Sequence, residues 1–341
     1  MNSPDFPVDR WGEVGYNKAS HLVHTRKRKE GTALIDVTLL GTSATMPLPE
    51  RALTSAHLAF GGRSILFDCG EGTQTAARRA QVSLMKTDLI ALTHYHGDHL
   101  FGLPGLLQTF GCLGRSDPLF LTGPDGLEEA IRPILQLAGS LPFSVHPVTL
   151  PEGGTSLGSL LPNWSADAFL APVPTCHRVP SQGYCFTLRR PGKFQVEAAK
   201  RLKIPQRRWG ELQRGKNVML ENGTVITPHM VLGEDRAGLR VVFSGDTAPC
   251  STLRKAAAGA DLFLCEATYG DDSYAAHAAL YGHCTFSQSA RMASDAGARR
   301  LWLMHFSQIL RQPEEALPYA TAIYPDAVLG EDGMKITLNF T

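Results

Sequence analysis

The segment His94-Tyr95-His96-Gly97-Asp98-His99 constrains this chain more than any other, because it sets four potential metal ligands directly behind the apolar run DLIALT at residues 88–93. That run reads as a strand, and residues 100–110 beyond the ligands read as a helix despite Gly102, Pro104 and Gly105. His94 and His96 stand two apart in extended chain, so they project to the same side and can meet one ion. A positive φ at Gly97 would then turn the chain and carry Asp98 and His99 toward a second position. Imidazole and carboxylate without thiolate select zinc first, with manganese or iron(II) also suited. Four local donors cannot close two sites, so later segments must supply the rest. The candidates end further strand-like runs: His177 after FLAPVPTC, Asp246 in VVFSGD and His305 in LWLMH.

The rest of the pattern says how such ends could meet. ALIDVTLLG from residue 33 reads as a strand, and SAHLAF and SILFD, joined by Gly61-Gly62, read as a hairpin. Residues 73–82 are helical, PLFLTG is a strand and residues 125–137 a helix, followed by irregular Pro-rich chain to about 182. LRVVFSGD, DLFLCEAT and RLWLMH are strands, with helices at 286–296 and 313–323. Early hairpins and later strand–helix alternation predict an α/β fold of mixed sheets with helices on both sides. Hydrophobic residues at 43% and charged residues at 19% suit a chain that buries a core.

Residues 1–33 lack periodicity and read as an N-terminal extension ahead of one domain, 34–341. Their basic run, Arg26 to Lys29, stands where a signal peptide would carry an apolar core, which argues against export. No stretch approaches the roughly 18 apolar residues of a membrane span. The seven cysteines form no C-x-x-C pair, so they read as reduced thiols of a cytoplasmic protein, Cys176 and Cys284 among them as small buried side chains.

Between Phe186 and Lys216 stand ten basic residues, Arg189, Arg190, Lys193, Lys200, Arg201, Lys203, Arg207, Arg208, Arg214 and Lys216, against two acids, Glu197 and Glu211. The whole chain carries a formal charge of only +1, so everything outside this segment is net acidic. A basic projection on an acidic body suits a polyanionic ligand.

The motifs LLGTSA, FDCGEGTQ, THYHGDH, the isolated His177, SGDT, EAT, His283-Cys284-Thr285 and His305-Phe306-Ser307 follow one another in the order found in ribonuclease Z enzymes. From about residue 34 to 340 the chain resembles this family of tRNA 3′-processing endonucleases. The resemblance implies the metallo-β-lactamase fold, an αββα sandwich of two mixed sheets flanked by helices, with an inserted basic arm. It implies two zinc ions per chain, one held by His94, His96 and His177, the other by Asp98, His99 and His305, with Asp246 bridging. Asp68 in FDCG would support the ligands by hydrogen bonding, and Asp98 would orient the attacking water or take its proton. His283 would protonate the leaving group, with Glu266 orienting it and raising its pKa. Residues 190–235 would form the arm, whose Lys193, Lys200, Arg201, Lys203, Arg207, Arg208, Arg214 and Lys216 contact phosphates of precursor tRNA. The family also implies a homodimer in which one subunit's arm clasps tRNA lying in the other's site.

Two segments depart from the pattern. LKIPQRRWGELQRGK lacks the Gly-Pro pair that usually marks the arm's tip, and PLPERALTS keeps Arg51 of P-x-K-x-R-N without its Lys and Asn. The main alternative is a phosphodiesterase of the same fold that opens cyclic nucleotides or another small diester, sharing the zinc ligands and even His283. A small diester needs no long basic projection, so the arm discriminates. β-Lactamase or thioesterase chemistry does not need EAT with His283, and a binding scaffold has no need of two zincs.

Overall fold

The computed structural model describes residues 34–340, so the readings made for residues 1–33 lie outside the described residues. In chain order the strands are β1 (Leu34–Gly41), β2 (Ser55–Phe60), β3 (Arg63–Phe67), β4 (Thr87–Ala91), β5 (Leu119–Thr122), β6 (Val145–Pro147), β7 (Thr155–Ser156), β8 (Ala168–Pro174), β9 (Gln182–Arg190), β10 (Val218–Met219), β11 (Val225–Ile226), β12 (Arg236–Phe243), β13 (Leu262–Glu266), β14 (Leu301–Met304), β15 (Ala327–Leu329) and β16 (Lys335–Asn339). Among the described residues they make two seven-stranded sheets, β16-β1-β2-β3-β4-β5-β6 and β15-β14-β13-β12-β9-β8-β7, with β10-β11 as a separate ribbon. Both sheets are mixed as the pattern predicted: β1, β2 and β3 pair antiparallel and β3 to β6 parallel. In the second sheet β7, β8, β9 and β12 pair antiparallel and β12 to β15 parallel.

Burial explains the sequence of the parallel strands. β4, β13 and β14 are buried at every position, as strands covered on both faces must be, and they read as near-continuous apolar runs. One face of each sheet meets the other sheet, where Phe67 of β3 stacks on Phe243 of β12 at 5.3 Å between ring centroids and meets Tyr184 of β9 at 5.7 Å. The outer faces pack against helices, Leu103–Cys112 and Leu127–Ala138 on the first sheet and Phe286–Ala296 on the second.

Three expectations need correction. The chain between 138 and 182 is not simply irregular, since Ala168–Pro174 is a seven-residue strand paired along its length with β9. The strand contains most of the extended run read ahead of His177, and it keeps Pro172 and Pro174 although proline is a poor strand residue. The helix expected at 100–110 is two pieces, Gly97–Leu100 and Leu103–Cys112. Gly102 sits at the break because a Cβ there would fall 2.1 Å from the Gly70 carbonyl oxygen. Cys284 is buried as expected, whereas Cys176 is exposed.

The insertion after β9 has a small core of its own, built from Ala198, Ala199, Ile204, Leu212, Val218, Ile226 and Val231 around the helices Val196–Arg201 and Trp209–Gln213. Its two ends meet: Phe194 bridges Leu232, and the Gly233 amide donates to the Lys193 carbonyl at 2.9 Å.

Candidate metal centre

Parallel strands deliver the site, because ligands gather beyond their carboxyl ends. β4 runs on into His94, β12 into Asp246, β13 into Glu266 and Thr268, and β14 into His305, while β8 leads to His177. Three overlapping donor groups result, His94, His96, His177 and Asp246 in one, Asp98, His99 and His305 in a second, and Asp246, His283 and His305 in a third.

Their spacing can be compared with what an ion requires. Four tetrahedral donors bonded at about 2.0–2.2 Å lie roughly 3.3–3.6 Å from one another. In the first group His96 Nδ1 lies 3.4 Å from His177 Nε2, and His94 Nε2 lies 3.6 Å from Asp246 Oδ2. His94 Nε2 and His96 Nδ1 are closer, at 2.9 Å. In the second, His99 Nε2 and His305 Nε2 are 3.3 Å apart, each 3.6 Å from Asp98 Oδ2 and 3.3 and 3.2 Å from Asp246 Oδ1. Asp246 therefore turns one oxygen to each of these first two groups. Its Oδ1 is buried without a hydrogen-bond donor, which is costly unless a cation meets it. The residues fit two divalent ions sharing Asp246.

Four of the five candidate imidazoles, those of His94, His99, His177 and His305, meet a polar partner through their other nitrogen, the usual support for a metal ligand. His99 Nδ1 donates to Asp68 Oδ2 at 2.7 Å, His177 Nδ1 to the Gly282 carbonyl at 2.9 Å, and His305 Nδ1 to Thr268 Oγ1 at 2.9 Å. His94 Nδ1 lies 3.0 Å from Thr93 Oγ1. Asp68 is fully buried and takes two further bonds from Thr93 N and Oγ1, so it holds His99 rather than capping a turn. The backbone bends to allow this: Thr45, Asp68 and His305 all have φ near +60°, unfavourable for residues with a Cβ and tolerated where the surroundings over-determine the conformation.

Gly97 departs from expectation. Its φ is not positive; it opens the short helix Gly97–Leu100, where a Cβ would lie 2.4 Å from the exposed Phe101 ring and would make that ring swing aside.

Electrostatics does not sort the histidines by task, since one proposed ligand is raised and three are lowered. Burial pushes His94 well below the ordinary histidine range and lowers His96 and His177, keeping them in the neutral form that ligates. For His99 burial acts in the same sense, but the Asp246 and Asp68 carboxylates overcome it and hold the ring well above that range. Burial would raise Asp246, yet His305, His99 and His94 hold it well below the usual carboxylate range. Burial also works against a charged His283, but Glu266 overrides it and lifts that pKa to about 9.

Glu266 is buried and accepts five hydrogen bonds. Oε1 takes His283 Nδ1 at 2.9 Å and Thr247 N at 2.8 Å, while Oε2 takes Thr268 Oγ1 at 2.8 Å and the amides of Cys284 and Thr268 at 3.1 and 3.2 Å. His283 stands two residues before the N-cap Thr285 of helix Phe286–Ala296, outside the helix, with Nε2 left for the cleft.

Sequence reasoning missed the threonines. Thr93, Thr247 and Thr268 lie inside THYHGDH, SGDT and EAT, and that position is the signal that could have marked them. It also missed Thr45, whose amide donates to Asp98 Oδ2 at 2.8 Å. Arg51 does not reach the donors; it bonds Thr42 Oγ1 and the Gly330 carbonyl and covers the Phe306 ring. The basic residues proposed for the insertion are exposed except for half-buried Arg208, and three are paired, Lys200 with Glu197, Arg207 with Glu221 and Arg208 with Glu211.

Two helix-covered mixed sheets with paired histidine–aspartate donor groups at one edge are the architecture of the metallo-β-lactamase superfamily, whose family model matches residues 54–285. The chain is 39% identical over 307 residues to the ribonuclease Z of Agathobacter rectalis, covering 90% of this chain and 99% of that protein. It belongs to the ribonuclease Z family, hydrolases that cut phosphodiester bonds of RNA in tRNA 3′ processing, as its motifs implied. The ribonuclease Z of Clostridioides difficile is 38% identical over 308 residues, with 90% and 99% of the two chains covered. The crystal structure of the short form of human tRNase Z superposes with a TM-score of 0.59 at 27% identity, covering 88% of this chain and 98% of that one.

Proposed function

We propose that this chain removes 3′ trailers from precursor tRNA using two zinc ions, one held by His94, His96 and His177, the other by Asp98, His99 and His305, with Asp246 shared. The observation that carries this reading is Asp246, one oxygen facing each donor group and one of them buried without a donor. When bound, two divalent cations supply Lewis acidity, acidifying the attacking water and neutralising the scissile phosphate. Asp98, its Oδ2 steadied by the Thr45 amide, orients that water and takes its proton. As the water oxygen bonds phosphorus, the opposite P–O bond breaks and His283 gives the Nε2 proton to the leaving oxygen. Glu266 holds His283 through Nδ1 and stabilises its charged form. Asp68 keeps the His99 Nε2 lone pair aimed at the ion by binding Nδ1.

Lys193, Lys200, Arg201, Lys203, Arg207, Arg208, Arg214 and Lys216 on the arm at 190–235 bind the tRNA backbone, giving affinity that falls with salt. The same reading makes the enzyme a cytoplasmic homodimer in which each arm clasps tRNA at the other subunit's centre. No helix among the described residues is long and apolar enough to cross a membrane. The test incubates purified protein, its zinc content measured by elemental analysis, with a 3′-extended precursor tRNA and separately with cyclic nucleotides. Trailer removal abolished by chelation supports the reading; hydrolysis of the cyclic nucleotides alone overturns it.

A further inference from the structure

A column of rings leads out of the metal centre on the His283 side. Tyr269 lies 6.2 Å from His283 between ring centroids and stacks on Tyr274 at 5.6 Å with an interplanar angle of 11°. His277 meets Tyr269 edge-on at 5.3 Å, and Tyr281, one helical turn further along Ala275–Tyr281, packs on His277 at 4.6 Å. The guanidinium of Arg178 closes the column 5.1 Å over the Tyr281 ring. His277, Tyr281 and Arg178 are exposed, so the outer end of the column is open to solvent.

The column is also fixed against the centre. Gly282, which ends the helix with φ +74°, packs so tightly on His177 that a Cβ there would lie 2.9 Å from the His177 Cα, and its carbonyl binds His177 Nδ1. Nearby carboxylates are engaged: Asp271 accepts from the Ser273 amide at 2.8 Å and Asp272 from Thr285 Oγ1 at 2.7 Å. Aromatic faces ending in an arginine plane are what unpaired nucleobases stack on, with little regard to base identity.

We propose that the ledge formed by His277, Tyr281 and Arg178 is a stacking subsite for the RNA nucleotides on the leaving-group side of the scissile bond. This rests on the proposed function, because His283 as the proton donor defines that side and the ledge starts at His283. The arm grips phosphates far along the substrate, whereas the ledge holds bases beside the bond and sets the phosphate's register on the metal pair. Loss of one base–aromatic stack weakens binding by about 5- to 150-fold.

The test compares wild type with Tyr281→Ala, Tyr281→Trp and Arg178→Ala on three precursor tRNAs, one intact, one abasic at the two leaving-side nucleotides and one abasic at the two nucleotides across the bond. The leaving side is the product fragment that ends in a hydroxyl, identified by mass spectrometry. Tyr281→Ala should lower kcat/KM on the intact RNA by about 5- to 150-fold, Arg178→Ala should do likewise and Tyr281→Trp should stay near wild type. On the RNA abasic at the leaving side, wild type and Tyr281→Ala should agree within about twofold, since the stack is already gone. A small chromogenic phosphodiester should be cut equally by all four proteins. Equal cleavage of intact RNA by Tyr281→Ala and wild type overturns the ledge, as does the same deficit on both abasic RNAs, which would mark Tyr281 as structural. Failure of wild type to cut any precursor tRNA would instead overturn the proposed function.

Discussion

Glu266→Gln tests the proton donor without touching any proposed ligand. Every group that meets Glu266 is a donor, two on Oε1 and three on Oε2. The glutamine NH2 must therefore displace at least one backbone N–H bond. At the Oε2 position it opposes the amides of Thr268 and Cys284; at Oε1 it opposes one amide, that of Thr247, and His283. The second placement costs least, about 1–3 kcal/mol for one unsatisfied buried amide. It turns His283 Nδ1 into an acceptor, so the ring can no longer carry the second proton that a general acid needs. Even if the ring kept its orientation, loss of the carboxylate would let its pKa fall from about 9 toward the ordinary 6.5. At pH 8 that lowers the protonated fraction about 30-fold, and complete loss of a general acid costs about 10²–10⁴-fold. Two cations nearby would lower both pKa values together and leave their order unchanged.

The sign for stability follows from the same shift. A raised His283 pKa contributes stability that is fully present below pH 6.5 and is lost as pH rises through about 9, so the variant should lose most below pH 6.5. The assay is kcat/KM for a 3′-extended tRNA from pH 6 to 10, with metal content measured in parallel. Activity should fall at least 30-fold at pH 8, the alkaline limb should move down, and metal content should hold. An unmoved alkaline limb would refute the argument, and loss of metal would show that Glu266 supports the donor groups, through His283 or through Thr268 and His305.

Asp98→Ala removes a proposed ligand and the water-orienting carboxylate together, so turnover should fall by several orders of magnitude; His305→Ala should empty one metal position while the fold survives, which elemental analysis and circular dichroism will read. Deleting residues 192–232 takes out most of the basic excess and leaves Pro191 to be joined to Gly233, which are close because a Cβ at Gly192 would fall 2.0 Å from the Gly233 carbonyl oxygen, so metal content should persist. Binding of tRNA should weaken, and the slope of its logarithm against log salt should drop by about 0.9 for each phosphate contact to duplex lost; an unchanged slope would remove the arm from tRNA binding. Burial holds His57 neutral, lowered to about 4 with Nε2 unpartnered, so its contribution to stability is present above pH 6.5 and is lost as pH falls through 4, at most about 3 kcal/mol. His57→Leu should flatten the acid side of a Tm-against-pH curve, and an unaltered slope would refute it.

What this sequence determined alone is whatever depends on neighbours in the chain. Alternation and apolar runs specify strands such as Ser55–Phe60 and Leu262–Glu266, and the helix Phe286–Ala296 begins and ends where its pattern placed it, behind the capping pair Thr285 and Gln288. Two histidines two apart at a strand end announce a metal site, because extended chain sends both side chains one way. Tertiary structure decided whatever depends on residues far apart. The run ahead of His177 finds its partner in Gln182–Arg190, which pairs with Ala168–Pro174 along its length despite the prolines. Gly97 lies against the Phe101 ring, which a Cβ would displace, and has no positive φ of its own. Thr268 shows its value only once β13 and β14 lie side by side and bring Glu266, His283 and His305 to one hydroxyl. A hydrogen bond acts over about 3 Å, so a polar residue's partner is set by where the sheets put it and not by its place in the chain.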